Sequence, residues 1–468
     1  MRRSVVAALL SSLALVSVSP AFAQGVDLPP PPKVDDPMLA PVARAKVEIS
    51  TWEEALRHVR ARSTDIRIAA ANVQRAEAQQ RVALAGALPS LTGQAGYTHN
   101  IITRDLVQPT GIGPSGQIQT KTVQTPQPDF VTGQLVVQQP ILALRAWHAI
   151  GTAGVAEDAA RLTFDDAKRQ IALSVANAIV GVVTAERIAE LNRIGLVNAL
   201  ARLELTTRKA NLGGATGLDV VRSRQDVEVS RATLVAGDES LRQAREALGL
   251  ALGIPEQVGV PPTVDISGLE KDARSSCKPA NAIDERPDIA ALRTRVEVAH
   301  RGVNDVKYQF APTVNLQSTL SSSAKAFGFE PINPATPNTL WNVGAVLSVP
   351  FWEGGARYGL LRDARAQEDI ALQNLEVGRR TATIQVTQAR RGVTVGEDRL
   401  RVATAARDLA AETDRLTRLG YQEGRGTSLE LVAAAQALRE SEIQLALREF
   451  ELVKARVAAV LALASCPW

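Results

Sequence analysis

Cysteine is nearly absent from this chain. Cys277 and Cys466 are the only two in 468 residues, too few for a disulfide-built scaffold. Histidine is almost as scarce: His58, His99, His148 and His300 are scattered, with no HExxH, no Cys/His ligand spacing and no nucleophile elbow. A metal or catalytic site therefore has little to be built from, and no cofactor is expected. No phosphate-binding lysine loop occurs, so energy for any transport must come from a partner. Gly111-Ile112-Gly113-Pro114-Ser115-Gly116 satisfies GxGxxG literally, but it lies in a Pro/Gly loop rather than between a strand and a helix, which argues against a dinucleotide site. Past the N-terminus no stretch approaches the roughly 20 apolar residues of a spanning helix, which excludes a helix-bundle transporter. Charge of one sign is lacking too. The 53 basic and 49 acidic residues are interleaved, which leaves no footprint for nucleic acid. The apolar share of 45% is enough for a sizeable core and disfavours disorder.

The N-terminus carries Arg2 and Arg3, an apolar run from Val5 to Val18 and Ala21-Phe22-Ala23, the pattern of a secretory signal cut after Ala23. No cysteine follows the cut to carry a lipid. Residues 24–50, with Pro29 to Pro32 in a row, have no apolar period and read as an extended linker laid along a surface.

The rest of the chain is written twice. Asp65-Ile66 returns as Asp288-Ile289 and Leu88-Pro89-Ser90-Leu91 as Ala311-Pro312-Thr313-Val314, at one constant offset. Thr216, Leu218, Asp219 and Gln225 return as Thr427, Leu429, Glu430 and Gln436 at a shorter one, the difference falling in a Gly/Pro-rich loop that tolerates length change. The boundaries that follow are a signal over 1–23, a linker over 24–50, repeat one over 51–253, an inter-repeat linker over 254–283, repeat two over 284–464 and a tail over 465–468.

Each repeat reads as helix, strand, loop, strand, very long helix, helix. No proline falls between Pro140 and Pro255 or between Pro350 and Pro467, and both stretches are rich in strong helix formers. Glycines break each once: Gly213, Gly214 and Gly217 in the first, Gly420, Gly424 and Gly426 in the second. The spacing predicts two helical hairpins whose first arms, at about 70 residues and 1.5 Å per residue, are on the order of 105 Å long. Leu196, Leu200 and Leu203, with Leu409, Leu416 and Leu419, fall at three- and four-residue steps as in a coiled coil.

Four segments alternate with period two. Leu91, Gly93, Ala95 and Tyr97 oppose Ser90, Thr92, Gln94 and Thr98. Val131, Leu135 and Val137 oppose Thr132, Gln134 and Gln138. Val314, Leu316 and Leu320 oppose Thr313, Asn315, Gln317 and Ser321, and Trp341, Val343, Ala345, Leu347 and Val349 oppose Asn342 and Ser348. One face is apolar and the other polar but uncharged, as in a membrane barrel with lipid outside and water within. Alternation alone favours a soluble sheet packed on a helix, because single barrel strands give a weak signal. The signal and the thin rod-like helices favour the barrel. Four strands cannot close one, and an open edge in lipid leaves backbone groups unsatisfied at several kcal/mol each. Several chains are needed, most simply three, whose twelve strands exceed the roughly eight that side chains can fill. The fold expected is thus mainly α with a small β part: two tandem repeats of long coiled-coil hairpins plus four antiparallel strands, one third of a trimeric 12-stranded barrel. Residues 101–129 and 322–339 are expected as outer loops, and the hairpins should project into the periplasm.

Over nearly the whole mature chain the residues resemble the TolC family of outer-membrane efflux proteins. The motifs are Thr51-Trp52-Glu53-Glu54-Ala55-Leu56, Arg286-Pro287-Asp288-Ile289, Val349-Pro350-Phe351-Trp352-Glu353-Gly354-Gly355-Ala356-Arg357 and Gly217-Leu218-Asp219-Val220-Val221. The resemblance implies a homotrimeric channel in outer-membrane lipid, continued by a periplasmic helical tunnel and docked through an adaptor (a membrane fusion protein) to an inner-membrane pump. That is a passive duct for efflux or type I secretion, not an enzyme. It also implies a periplasmic gate at Glu430, Asp219 and Arg425, although the position expected to hold a basic lock partner is Gly426 and a second acid is replaced by Ala433. Asp219 and Glu430 also suit a simple helix cap. Adaptor contacts are implied at Leu212, Gly213, Gly214, Gly420, Gly424 and Gly426, where helix termination is the plainer reading. In such an arrangement Cys277 and Cys466 fall near the tunnel's midsection, so a disulfide between them is an expectation, with two separate thiols the alternative. Two other classes are a periplasmic coiled-coil adaptor, which would show one hairpin between split lipoyl-like halves, and a soluble structural coiled coil; recovery in outer-membrane fractions, resistant to salt extraction, separates the channel from both.

Overall fold

The computed structural model describes residues 34–262, 264, 268–332, 337–466 and 468. The signal over 1–23 and the proline run lie outside them. A two-residue strand β1 (Val47–Glu48) leads into helix α1 (Trp52–Arg62) and, directly after it, α2 (Thr64–Ala85). The opening helix is broken at Ser63, whose extended backbone stops α1 while its hydroxyl accepts from Ile66 N to start α2. Strand β2 (Ser90–His99), β3 (Arg104–Ile112), β4 (Ile118–Thr125) and β5 (Asp129–Leu142) follow, then α3 (Leu144–Asn211) and α4 (Gly217–Leu252). Past the short β6 (Val258–Gly259), α5 (Leu269–Ser276) and β7 (Lys278–Pro279), repeat two runs through α6 (Pro287–Lys307), β8 (Thr313–Lys325), β9 (Thr339–Ser348), α7 (Ala356–Gln422) and α8 (Ser428–Leu461). It ends in β10 (Ala464–Ser465).

The long helices start four to six residues past Pro140 and Pro350 and span 68 and 67 residues. They and their shorter returns set the plan. Toward the hairpin tips the helices lie in the order α4, α3, α8, α7, and toward the sheet in the order α2, α3, α6, α7. The sheet order β2-β5-β8-β9 puts β2 and α2 at one flank and β9 and α7 at the other.

The main core sits at the waist between these halves. Trp52, Val59, Val175, Val180, Leu248 and Leu461 are buried there, each gaining about 1.5–3 kcal/mol from leaving water. This corrects the expectation that only the N-terminus is apolar enough to span a membrane. An 18-residue window within α3 reaches a mean hydropathy of 1.6, and the run around Val175 to Val182 is apolar because it packs into the waist.

The two linkers take part in that core. In the N-terminal one, Val47 pairs with Val258 in a parallel two-residue ladder, Ile49 is buried, and Arg245 Nη1 donates to Ala43 O at 2.7 Å. Asp36 accepts from Arg231 Nη2 at 2.6 Å; that hydrogen bond is the main reason its carboxyl lies below the usual range. The inter-repeat linker holds α5, and β7 pairs antiparallel with β10. There Cys277 is disulfide-bonded to Cys466, closing a span of 189 residues. Arg286 grips Asp288 through two bonds of 2.7 Å and donates to Gln385 Oε1 at 2.8 Å. Burial pushes the Asp288 carboxyl up, but the Arg286 hydrogen bond and charge outweigh it and the net shift is downward. Arg-Pro-Asp-Ile is thus a helix start locked to the waist, with proline in the first turn where its missing N–H costs nothing.

Candidate functional site

The register brings the four alternations into phase. Leu91 pairs with Val137, Gly93 with Leu135 and Tyr97 with Val131 across β2 and β5. Leu135 pairs in turn with Leu320, and Leu320 with Trp341. These residues form one apolar face. Gln94, Gln134 and Ser321 form a row on the other. Among the described residues no helix covers the apolar face: Trp341 is 75% and Leu91 68% exposed. The outward backbone edges of β2 and β9 have no strand partner among the described residues.

The region expected as an outer loop over 101–129 is instead a two-stranded hairpin, β3 with β4, from Arg104 opposite Thr125 to Ile112 opposite Ile118. The Gly-rich motif straddles the end of β3 and the turn, residues 113–117, where Gly113 N donates to Gln117 O at 2.8 Å. The glycines serve a turn, not a phosphate cradle. At the other end of the sheet, the strand passes into α7 through Gly354 and Gly355 at φ of 64° and 88°, a left-handed pair that glycine adopts without strain. Arg357 pins this turn: it donates to Glu353 Oε2 at 2.9 Å and to Pro350 O at 3.0 Å and lies 4.7 Å over the Phe310 ring, while Phe351 and Trp352 face outward.

The hairpin tips are built alike and used differently. Thr216 and Thr427 each cap a returning helix, and the acid three residues on returns the bond to the cap's backbone N–H, from Thr216 N to Asp219 at 2.9 Å and from Thr427 N to Glu430 at 2.9 Å. Both carboxyls lie below their usual range. For Glu430 the Thr427 amide is the chief cause, and the side chain otherwise stands in solvent. For Asp219 the chief cause is the Ser428 hydroxyl, which donates to it from the other hairpin, followed by the Thr216 amide. A second tie joins the tips, because Lys209 Nζ donates to Tyr421 O and lies 4.1 Å over the Tyr421 ring.

The residues named from sequence fall as follows. Asp219 and Ser428 meet; Glu430 does not reach across. Arg425 is highly exposed, and its nearest acid is Glu423 at 3.8 Å. Leu212 is 87% exposed, Gly213 and Gly424 take left-handed φ of 77° and 78°, and Gly214 lies in the turn. Gly420 is a correction: it does not end a helix but lies inside α7, and its carbonyl accepts from Arg425 N at 2.8 Å. At Gly426 a Cβ would come within 3.1 Å of Tyr421 N, so this position is set by close approach. Sequence reasoning missed Ser428 and Lys209. It also missed a buried polar cluster two turns from the tips, where Asp226 accepts from Arg202 at 2.6 Å and from Gln436 at 3.0 Å, and Arg439 donates to Ser230 at 2.8 Å. Asp226 among the apolar rows of α4 was the available signal.

The family model described as "Outer membrane efflux protein" matches residues 55–254 and 279–465. The chain belongs to this family. Its relatives include Nodulation protein T of Rhizobium leguminosarum bv. trifolii, 24% identical over 398 residues that cover 82% of this chain and 78% of that protein. Another is the alkaline protease secretion protein AprF of Pseudomonas aeruginosa, 23% identical over 70% of this chain and 68% of AprF. Among solved structures, the outer membrane protein VceC of Vibrio cholerae has a TM-score of 0.69 at 19% identity, covering 88% of this chain and 95% of VceC. CusC reaches a TM-score of 0.73 at 18% identity, with 92% of this chain and 98% of that chain covered. The protein is thus an outer-membrane efflux protein, and its family is one of transport channels.

Proposed function

We propose that three copies of this chain form a twelve-stranded barrel continued by a helical tunnel, a passive exit duct without a catalytic site that is coupled through a periplasmic adaptor to an inner-membrane pump. The observation that carries this reading is the open sheet, with its bare apolar face and two unpaired edges. In hydrocarbon each unpaired edge group costs several kcal/mol, and closure by further copies removes the edges. The apolar face then meets lipid, and the row of Gln94, Gln134 and Ser321 lines water.

At the far end the exposed Leu212 and the glycine turns offer the adaptor a surface, and Glu430, repeated in each copy, gives the entrance a cation-favouring field. Asp219 belongs to the same gate as a lock between hairpins, with Ser428 as its partner. Arg425 stands free enough to serve the adaptor rather than the lock. The coupling to a pump is favoured by relatives whose names specify export, such as AprF. Reconstitution of the purified protein into planar bilayers should give stepwise conductance that favours cations and becomes less selective in Glu430→Gln. A folded, membrane-inserted preparation that never conducts would contradict the duct.

A further inference from the structure

Helix α4 holds the N-terminal linker with arginines set at multiples of seven residues. Arg245 donates to Ala43 O at 2.7 Å and Arg231 to Asp36 at 2.6 Å, while the position between them is Asp238, which accepts from Arg193 of α3 at 2.7 Å. Between the two grips Leu39 packs against the cluster of Leu196, Ala199, Val227 and Leu234, so the linker lies in the groove between α3 and α4. One heptad nearer the tip, on the same face of α4, stands Arg224. It is exposed and has no hydrogen bond or ion pair among the described residues.

The pace of the linker along α4 follows from its two grips. From Ala43 back to Asp36 it uses half as many residues as α4 does from Arg245 back to Arg231, a helical rise of roughly 21 Å. That is about 3 Å per linker residue, the rise of a polyproline II helix. At Asp36 the chain is heading for the tip, and residues 24–33 still precede it, with Pro29 to Pro32 in a row. Continued at the same pace, Pro32 and Lys33 straddle the level of Arg224, and Pro29 comes level with Gly217, the first residue of α4. A polyproline helix leaves its carbonyls free to accept, and an arginine supplies five donors. The half-buried Val220 of α4 and Leu203 and Thr207 of α3 floor the groove on this stretch.

We propose that residues 24–33 lie as a strap in the tipward groove between α3 and α4 of their own chain, with Arg224 donating to the carbonyls around Pro31 and Pro32 and residues 24–28 reaching the turn beside Leu212. The polyproline run is already extended, so docking it orders little chain. The strap ties the two arms of the first hairpin together down to its tip. The second hairpin has no counterpart, because the inter-repeat linker stays at the waist in α5 and the ladder of β7 with β10. The proposal goes beyond the duct reading and does not depend on how many chains assemble.

The test uses the full chain with its native disulfide and two added cysteine pairs. Pro30→Cys plus Val220→Cys is the level pair, and Pro30→Cys plus Arg242→Cys is the pair that would meet if the segment doubled back toward the waist. Mild oxidation followed by peptide mapping should find an intrachain bond in most of the level pair and several-fold less in the other. A level pair that stays reduced, a waistward pair that bonds as well, or a bond that joins two chains overturns the strap. Trypsin gives a second readout. Arg224→Ala should speed cleavage after Lys33 several-fold, and Arg224→Lys less, with cleavage at distant sites unchanged to show that the variants fold. Cleavage after Lys33 at the wild-type rate in Arg224→Ala overturns the assigned grip.

Discussion

The waist and the sheet obey opposite rules. At the waist most strongly apolar side chains find cover within the chain: Trp52, Leu248 and Leu461 share one core, two short ladders tie the linkers in, and Cys277 is bonded to Cys466. In the sheet the strands pair along nearly their whole length, yet Trp341, Leu91 and Leu135 stand bare and two edges have no partner among the described residues. The waist is a finished protein; the sheet is a finished fragment of something larger. The difference shows where the chain can fold alone and where it needs lipid and other copies.

Substitutions that respect one rule and violate the other sharpen this comparison. The largest effect is expected from Leu135→Arg on the bare face, at about 2–4 kcal/mol in each copy near the bilayer midplane, enough to abolish recovery of folded oligomer from outer-membrane fractions. Gln134→Arg, one residue along on the polar face, should be recovered near the normal level, and equal loss in both would break the distinction between faces. Leu248→Ala leaves a cavity at the waist and should cost about 2–5 kcal/mol of stability, read as a lower denaturant midpoint whether or not lipid is present.

How much of this was legible in the sequence follows from the length of each signal. The long helices were readable because proline at 140 and 350 and glycine near 213 and 424 bound unbroken runs of helix formers. The four strands of the sheet were readable because their alternation spans enough residues to show a period. The waist was not. Its ladders are two residues long and carry no period, and α5 is an eight-residue helix in what composition marks as a linker. The hairpin of β3 and β4 was hidden by Pro109 and the glycines around 111–116, which spell a loop while the flanking residues pair. At the tips the sequence pointed to Asp219 and Glu430 but not to their unequal use. Capping is local and legible, whereas the bond from Ser428 depends on how two hairpins meet.

That inequality gives the two smaller predictions. Asp219→Ala removes half of a capping box and the contact to Ser428 and should cost about 0.5–2 kcal/mol; Glu430→Ala removes only the cap and should cost less, by thermal unfolding. Because its native carboxyl lies below the unfolded value, Asp219 adds stability above the ordinary carboxylate range that is lost as the pH falls through the lowered value. Channel closure in the wild type should therefore loosen on acidification, and Asp219→Asn should show a flatter pH response. An unchanged pH response in Asp219→Asn would remove the acid from the lock.

The central claim is that one chain supplies only part of a closed wall. It is tested most directly by the protein mass within the detergent-solubilised particle, measured by light scattering with the detergent contribution subtracted. The account predicts three chains per particle with the sheet signal intact; a folded particle containing a single chain would contradict it.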